Sequence, residues 1–303
     1  MVDLKTSVGK LEMRNPTMLA SGILGETGEL LLRVARSGAG AVVTKSIGLE
    51  PREGHPNPTV VEMEHGLLNA VGLANPGIDL FKEEMDVATK AEVPVIGSIF
   101  GKDATEFAQL AIKMEEYGAD AVELNLSCPH AEGLGYEIGS EPKNVEEITK
   151  EVKGSVKIPV FPKLTPNVKS IVDLADAAAK GGADAVVAIN TVRAMAISPE
   201  AGMPVLANKI GGLSGTAIRP IGVRCVYEIW KEVPIPVIGV GGISSGMDAL
   251  EYIMAGASVV QIGSGVWIGG PEVFSKICGE MEEFMERNGY ESLNDVLGAV
   301  HSC

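Results

Sequence analysis

The sequence predicts a (β/α)8 TIM barrel, organised as one domain over residues 1–303 with a short N-terminal hairpin. Eight short apolar runs recur along the chain, and helical patterns separate most of them. Parallel strands that are covered on both faces read as uninterrupted apolar runs, and their alternation with helices is typical of this barrel. A doubly wound open sheet is the alternative, but eight regular units and no G-x-G-x-x-G after the first strand favour the barrel.

The eight predicted strands are of two alternating kinds, one entered through a proline and the other through Gly-Ala. In chain order they are "NPTMLASG" from 15, "GAGAVVTKS" from 38, "VPVIGSIFG" from 93, "GADAVELNLS" from 118, "IPVFPKL" from 158, "GADAVVAINT" from 182, "IPVIGVGG" from 235 and "GASVVQIGSG" from 256. This self-similarity indicates a repeated strand–helix unit. Residues 1–14 predict a hairpin around Val8-Gly9, which we expect to close the bottom of the barrel.

The clearest helical pattern is "DATEFAQLAIKMEEYG". Asp103 can cap this helix, and Phe107, Leu110 and Met114 recur at helical spacing. Further helical patterns begin at residues 144, 172, 221 and 247.

Composition excludes several classes of function. The net charge of −15 argues against nucleic acid as a partner, because binding to phosphates needs a basic patch. No window is long and apolar enough to span a membrane, and the N-terminus lacks the pattern of a signal peptide, so we expect a cytoplasmic protein. Four dispersed cysteines predict neither a metal site nor disulfides.

Polar residues and glycines gather where the predicted strands end. Active sites of such barrels lie at the carboxyl ends of the strands. The residues there are Ser21, Lys45 with Ser46, Ser98, Asn125 with Ser127 and Cys128, Lys163, Asn190 with Thr191, Gly241 with Gly242, and Gly263 with Ser264. The bodies of the strands hold mainly Val, Ile, Leu and Ala, so we expect the polar set to line the mouth of the barrel.

Three chemistries are suggested by this set. The glycine pairs after the last two strands predict a phosphate site, although each loop alone is explained by a tight turn. Lys45 and Lys163 indicate an anionic ligand, while Lys163 could instead reach solvent from the rim or form a Schiff base. Asn69, Asn125 and Asn190 would suit a planar ligand with N–H and C=O groups, although Asn69 stands in a Gly-rich segment where a turn is the plainer interpretation.

Cys128 is the candidate nucleophile or base. Pro129 ends the strand directly after it, and the following "AEGLGYEIGSEP" is typical of a loop that closes over a site.

Taken together, these residues resemble the class 1 dihydroorotate dehydrogenases, most closely class 1B, the catalytic subunit of the NAD-linked form. The resemblance covers essentially the whole chain, and its most specific motifs are "NAVGLANPG", "NLSCP" and "NKIGGLSG". It implies an FMN whose phosphate lies on Gly241, Gly242, Gly263 and Ser264. It also implies that the flavin is lined by Ser21, Lys45, Ser46, Asn125, Ile189 and Gly215, with Lys163 at the pyrimidine edge of the ring.

The resemblance further implies the substrate and the reaction. Dihydroorotate would be held by Lys45, Asn69, Ala70, Val71, Gly72, Leu73, Asn125, Asn190 and Thr191. Cys128 would remove a proton from C5 while hydride passes from C6 to N5 of the flavin. Electrons would leave through a partner subunit with FAD and a [2Fe-2S] cluster to NAD+, around a homodimeric core, although fumarate-linked relatives resemble this chain too.

Two positions depart from the family pattern, and other functions stay open. Ser98 stands where an Asn is common after the third strand, and His130 stands where Asn usually follows Cys-Pro; we expect His130 to face solvent. The alternatives are another FMN-dependent dihydropyrimidine oxidoreductase, a flavin-free aldolase or isomerase that uses Lys163, and a subunit that binds FMN without catalysis.

Overall fold

A computed structural model describes residues 2–126 and 136–302, with the side chains of 136 and 137 left aside, and it contains a closed parallel barrel. Its eight strands are β3 (Thr17–Leu19), β4 (Ala41–Val43), β7 (Val95–Ile99), β8 (Ala121–Asn125), β9 (Val160–Leu164), β10 (Val186–Ala188), β15 (Val237–Val240) and β16 (Ala257–Ile262). They follow one another around the barrel in chain order, and β16 closes it against β3. Each of the eight apolar runs contains one of these strands, so the predicted barrel is confirmed.

Helices cover the outside of the barrel. They are α1 (Gly28–Arg36), α2 (Ile78–Ala88), α3 (Ala104–Glu116), α4 (Tyr136–Gly139), α5 (Pro142–Ser155), α6 (Ile171–Lys180), α7 (Arg219–Glu232), α8 (Gly246–Met254), α9 (Ser264–Gly269) and α10 (Val273–Asn288). The predicted helix after residue 103 is α3, and the side chain of Asp103 accepts a hydrogen bond from the backbone N–H of Glu106 as its N-cap. Among the described residues, no helix is long and apolar enough to cross a membrane.

The N-terminal hairpin closes the bottom of the barrel, as predicted. It consists of β1 (Thr6–Val8) and β2 (Leu11–Met13), paired antiparallel. Val8 is fully buried in the same apolar cluster as Phe161 and Ile238 of the barrel interior. The hydroxyl of Thr6 donates to the carbonyl of Ser258, near the start of β16, which places the hairpin at the amino ends of the strands.

A second sheet stands at the opposite end, and the sequence patterns did not predict it. It contains β5 (Val60–Met63), β6 (Gly66–Asn69), β11 (Val192–Met195) and β14 (Ile210–Ser214), all antiparallel, and a short pair β12 (Ile197–Ser198) and β13 (Met203–Pro204) extends from it. Asn69 therefore ends a strand, and its interpretation as a turn residue in a Gly-rich loop was wrong. Alternation is weak in these short strands, which is why periodicity did not reveal them.

Replacing Asp103 with Ala should lower the free energy of unfolding by about 1 kcal/mol, because the backbone N–H of Glu106 would lose its acceptor at the start of α3. Urea unfolding followed by circular dichroism measures the change. Asp103→Asn is the matched control, since an amide oxygen still accepts this bond and should preserve most of the stability. Equal losses in both variants would contradict the capping role.

Candidate functional site

A buried ion pair lies inside the barrel beneath its mouth. Lys163 on β9 is 5% exposed, and its Nζ lies 3.4 Å from Oε1 of Glu123 on β8, which is completely buried. Gln261 on β16 bridges the two: Lys163 donates to its Oε1 at 3.0 Å, and its Nε2 donates to Oε2 of Glu123 at 2.6 Å. Charges in a protein interior need such partners, because each is costly to remove from water alone.

These side chains point into the barrel because of strand alternation. β8 and β16 lie on opposite sides of the barrel, so the contact between Glu123 and Gln261 crosses its interior. Successive residues of a strand face opposite sides. Ala121 and Phe161 accordingly face the apolar lower interior, while Glu123 and Lys163, two residues further along each strand, form a polar layer above it.

Hydrogen bonds continue from the ion pair to the mouth. The hydroxyl of Ser98 lies 3.5 Å from Oε1 of Glu123 and 2.9 Å from the hydroxyl of Ser46. Asn125 donates from Nδ2 to the Ser46 hydroxyl at 3.0 Å, and Asn190 donates from Nδ2 to Oδ1 of Asn125 at 3.4 Å. Ser98, one of the two departures from the family pattern, is fully buried within this chain of contacts.

Ser21 reaches the same layer from the first barrel strand. Its hydroxyl oxygen lies 3.5 Å from Nζ of Lys163. The structure therefore brings together four of the predicted flavin-lining residues, Ser21, Ser46, Asn125 and Lys163. Lys163 is not a rim lysine that reaches solvent, because its side chain is buried beside Glu123.

The second sheet brings Asn69 to Thr191. Asn69 donates from Nδ2 to the carbonyl of Gly212 on β14 at 3.1 Å. Gly212 has no room for a side chain, because a Cβ there would lie 2.1 Å from Oγ1 of Thr191. Asn167 fixes the same corner by donating to the carbonyl of Thr191 at 3.0 Å, and the backbone N–H of Thr191 donates to Oδ1 of Asn190 at 2.7 Å.

The segment after Asn69 is held by its own set of contacts. Ala70 is buried, and the backbone N–H of His55 donates to the carbonyl of Val71. Gly72 and Leu73 follow with φ angles of 77° and 58°, a region that favours glycine and is uncommon for leucine.

Asn75 joins this segment to the loop that follows β4. Its Nδ2 donates to the carbonyl of Leu73 at 2.9 Å, and its Oδ1 accepts from the backbone N–H of Gly48 at 3.2 Å. A single side chain therefore ties the substrate-binding segment of the resemblance to the loop that carries Lys45 and Ser46.

Lys45 does not join the buried layer. Its Nζ lies 3.2 Å from Oε1 of Glu26, and the side chains are 16% and 58% exposed. Such a surface pair contributes little to stability because water and salt screen it. The lysine can therefore exchange Glu26 for an anionic ligand at small cost.

The predicted phosphate loops are close together. A Cβ at Gly242 would lie 2.5 Å from the carbonyl oxygen of Gly215, and a Cβ at Gly265, directly after Ser264, would lie 2.4 Å from the carbonyl oxygen of Ile243. Gly241 has a φ of 137°, and its carbonyl accepts from the Tyr252 hydroxyl at 2.8 Å.

Ile189 and Gly263 complete the predicted flavin set. Ile189 is buried, and its backbone N–H donates to the carbonyl of Val240 at 3.0 Å. A Cβ at Gly263 would lie 3.6 Å from the Cβ of Ala20, so this glycine packs next to the strand that leads to Ser21.

Cys128, the predicted base, lies outside the described residues, as do Ser127, Pro129 and His130. Cys225 on α7 is buried and Cys278 on α10 is partly buried. Burial raises the pKa of each of these two thiols to about 11. Neither is poised for nucleophilic chemistry near neutral pH.

Sequence reasoning missed Glu123, Gln261, Asn75 and Asn167. Glu123 and Gln261 had a readable signal, because each is a polar residue inside an apolar run that the barrel buries on both faces. Asn75 and Asn167 had none, since asparagine in a loop is most often a turn residue.

A closed parallel barrel with a buried ammonium group, amide side chains and glycine loops at one end is typical of an α/β-barrel enzyme. The profile of the family described as "Dihydroorotate dehydrogenase" matches residues 3–285. The chain therefore belongs to the dihydroorotate dehydrogenase family.

Similar proteins cover the whole chain. A protein of Methanocaldococcus jannaschii is 53% identical over 302 residues, 98% of both chains, and one of Thermoplasma acidophilum is 55% identical over 300 residues, 99% of both. A protein of Pyrococcus horikoshii is 51% identical over 295 residues, 97% of both chains. All three are named dihydroorotate dehydrogenase B (NAD(+)), catalytic subunit, which agrees with the class 1B resemblance.

Iodoacetamide at pH 8 should leave Cys225 and Cys278 unmodified in the folded protein. With a pKa of about 11, roughly one thiol in a thousand is ionised at this pH, and burial limits access further. Peptide mass spectrometry measures the modification, and the same reaction in urea is the control in which both thiols should react. Fast labelling of either cysteine in the folded chain would contradict its buried environment.

Proposed function

We propose that this chain oxidises dihydroorotate to orotate with FMN as its prosthetic group, a step of pyrimidine biosynthesis. Membership of the dihydroorotate dehydrogenase family supports this function, and the observation that carries it to the site is the Lys163 ammonium group held inside the barrel mouth. A fixed cation at this place suits a cofactor that gains negative charge on reduction.

The residues at the mouth fit FMN. A Cβ at Gly242 would lie 2.5 Å from the carbonyl oxygen of Gly215, and Gly241 and Gly242 both have positive φ angles, which favour glycine. We propose that Gly241, Gly242, Gly263 and Ser264 hold the phosphate through backbone N–H groups, as loops after the last two strands of such barrels do. We assign Ser21, Lys45, Ser46, Asn125, Lys163, Ile189 and Gly215 to the ring system.

The asparagine set fits the substrate. Dihydroorotate is a ring with alternating N–H and C=O groups and a carboxylate, and amide side chains can both donate to it and accept from it. We propose that Asn69, Asn125, Asn190 and Thr191 bind the ring, together with the backbone of residues 70–73. Lys45 would bind the carboxylate, in place of its pairing with Glu26.

We assign Cys128 the role of base. In the sequence it follows the end of β8, the strand that carries Glu123 and Asn125, by three residues. Bound FMN would supply the acceptor for the hydride from C6. The thiol would take the proton from C5, and the protein's contribution is to fix both reacting positions of the substrate at once.

Electrons must then leave the flavin, and we propose NAD+ as their destination by way of a partner subunit with FAD and a [2Fe-2S] cluster. The relatives are named as catalytic subunits of an NAD(+) enzyme, which supports a partner. A chain of this family without such a partner would pass its electrons elsewhere, as the fumarate-linked form does.

The purified chain should be yellow, and dihydroorotate should bleach its flavin band in the absence of oxygen. The visible spectrum during an anaerobic titration measures both cofactor and reaction. Orotate, which cannot donate the hydride, is the control ligand and should leave the band oxidised. A yellow chain that dihydroorotate does not bleach would contradict the substrate, and folded chain that takes up no FMN would contradict the family's chemistry at this site.

Cys128→Ala should retain FMN and slow its reduction by dihydroorotate by about 10²-fold or more, because a positioned base contributes at least that much to proton transfer. Anaerobic stopped-flow spectroscopy measures the rate. Cys225→Ala is the matched control, since that thiol is buried in α7, and it should reduce at the rate of the unmodified chain. An unchanged rate in Cys128→Ala would remove the thiol from the reaction.

A further inference from the structure

Glu123 is a fully buried carboxylate for which the proposed reaction has no use. In that scheme it neither accepts a proton from the substrate nor contacts a ligand. Burying a charged side chain costs free energy unless the charge is paired and hydrogen-bonded. Its partners are Lys163, Gln261 and Ser98, all on the inner face of the barrel.

We propose that Glu123, held in place by Gln261, is a positioning residue that fixes the Lys163 ammonium group and sets the reduction potential of the bound FMN. The proposal rests on the proposed function, because it concerns the cofactor of that same site. It assigns the carboxylate a defined electrostatic role and not only a structural one.

The bridging amide of Gln261 determines the geometry. A side-chain amide has one accepting and one donating end, and only one orientation satisfies both neighbours: the oxygen toward Lys163 at 3.0 Å and the nitrogen toward Glu123 at 2.6 Å. Two bonds from different strands therefore hold the ammonium group, one from Glu123 and one from Gln261. The ammonium group also lies 3.5 Å from the hydroxyl oxygen of Ser21, on the side of the mouth.

The charge of Glu123 offsets that of Lys163. Two opposite charges 3.4 Å apart form a pair with little net charge. The residual electric field of the pair is only weakly screened in the barrel interior. With a neutral residue at position 123, Lys163 would present its full positive charge to the flavin. Reduced FMN, which is the more negative form, would then be stabilised over oxidised FMN.

This offset suits the direction of electron flow. A strongly stabilised reduced flavin would accept hydride readily but release electrons poorly to NAD+, a weak oxidant. The carboxylate of Glu123 therefore holds Lys163 in a position that orients the flavin ring. It also keeps reduced FMN able to donate electrons. The same lysine without its partner would favour the first half of the reaction at the expense of the second.

The test is Glu123→Gln in the FMN-loaded chain, with the midpoint potential measured by anaerobic reduction beside a reference dye. The expected result is a reduction equilibrium shifted about tenfold or more toward reduced FMN, which is a rise of about 30 mV or more for a two-electron couple. A potential equal to that of the unmodified chain would overturn the proposal.

Glu26→Gln is the matched control. It makes the same chemical change at the carboxylate that pairs with Lys45, but Glu26 is 58% exposed. Solvent screens that charge, so the equilibrium should move by less than about twofold. An equal shift in both variants would show that position 123 has no special role and would overturn the proposal.

Glu123→Asp keeps the proposal testable if Glu123→Gln does not fold. The aspartate keeps the negative charge but is one methylene shorter, so it lies farther from Lys163 and should shift the equilibrium about twofold or more toward reduced FMN. A merely structural role predicts loss of FMN without such a shift. A potential that is unchanged or lowered in Glu123→Asp would overturn the proposal.

The unmodified chain separates this inference from the proposed function. If it holds no FMN, or if dihydroorotate does not bleach its FMN, the proposed function fails and the inference fails with it. If dihydroorotate bleaches the FMN of all variants and the potentials do not move, the inference alone fails.

Discussion

The ion pair between Lys163 and Glu123 is the interaction on which the upper half of the barrel depends. It is almost completely buried, and the amide of Gln261 joins both charges across the barrel interior. A buried charge without a partner is far more costly than a buried pair, so none of the three side chains can be exchanged independently of the others. The polar layer they form marks where the apolar core stops and the site begins.

Hydrogen bonds between side chains connect this polar layer to the mouth of the barrel. Ser98, Ser46, Asn125 and Asn190 form one continuous series of hydrogen bonds, and each lies on a different barrel strand or within three residues of its end. Groups that bind a ligand precisely need support from a rigid scaffold behind them. Here the scaffold is the barrel interior itself.

The two ends of the barrel differ in their chemistry. The lower end is sealed by the apolar hairpin, whose Val8 completes the cluster around Phe161 and Ile238. The upper end must remain open to a ligand, and the additional sheet of β5, β6, β11 and β14 walls it from one side, with Asn69 and Thr191 brought together around Gly212. The same barrel strands therefore bury apolar side chains at the lower end and position polar side chains at the upper end.

The sequence by itself determined the barrel, its eight strands, the capped helix after Asp103 and the end at which the polar residues gather, because these follow from local periodicity and from residue types at strand ends. It also marked Lys163 as a residue in need of an anionic partner. Only the tertiary structure decided that the partner is Glu123, that Gln261 joins them, and that Asn69 belongs to a strand beside Thr191. The reason is physical: Lys163 and Glu123 lie on neighbouring strands 40 residues apart, and the contacts of Gln261 and Asn69 join segments more than a hundred residues apart. Local patterns carry no information about which distant residues meet.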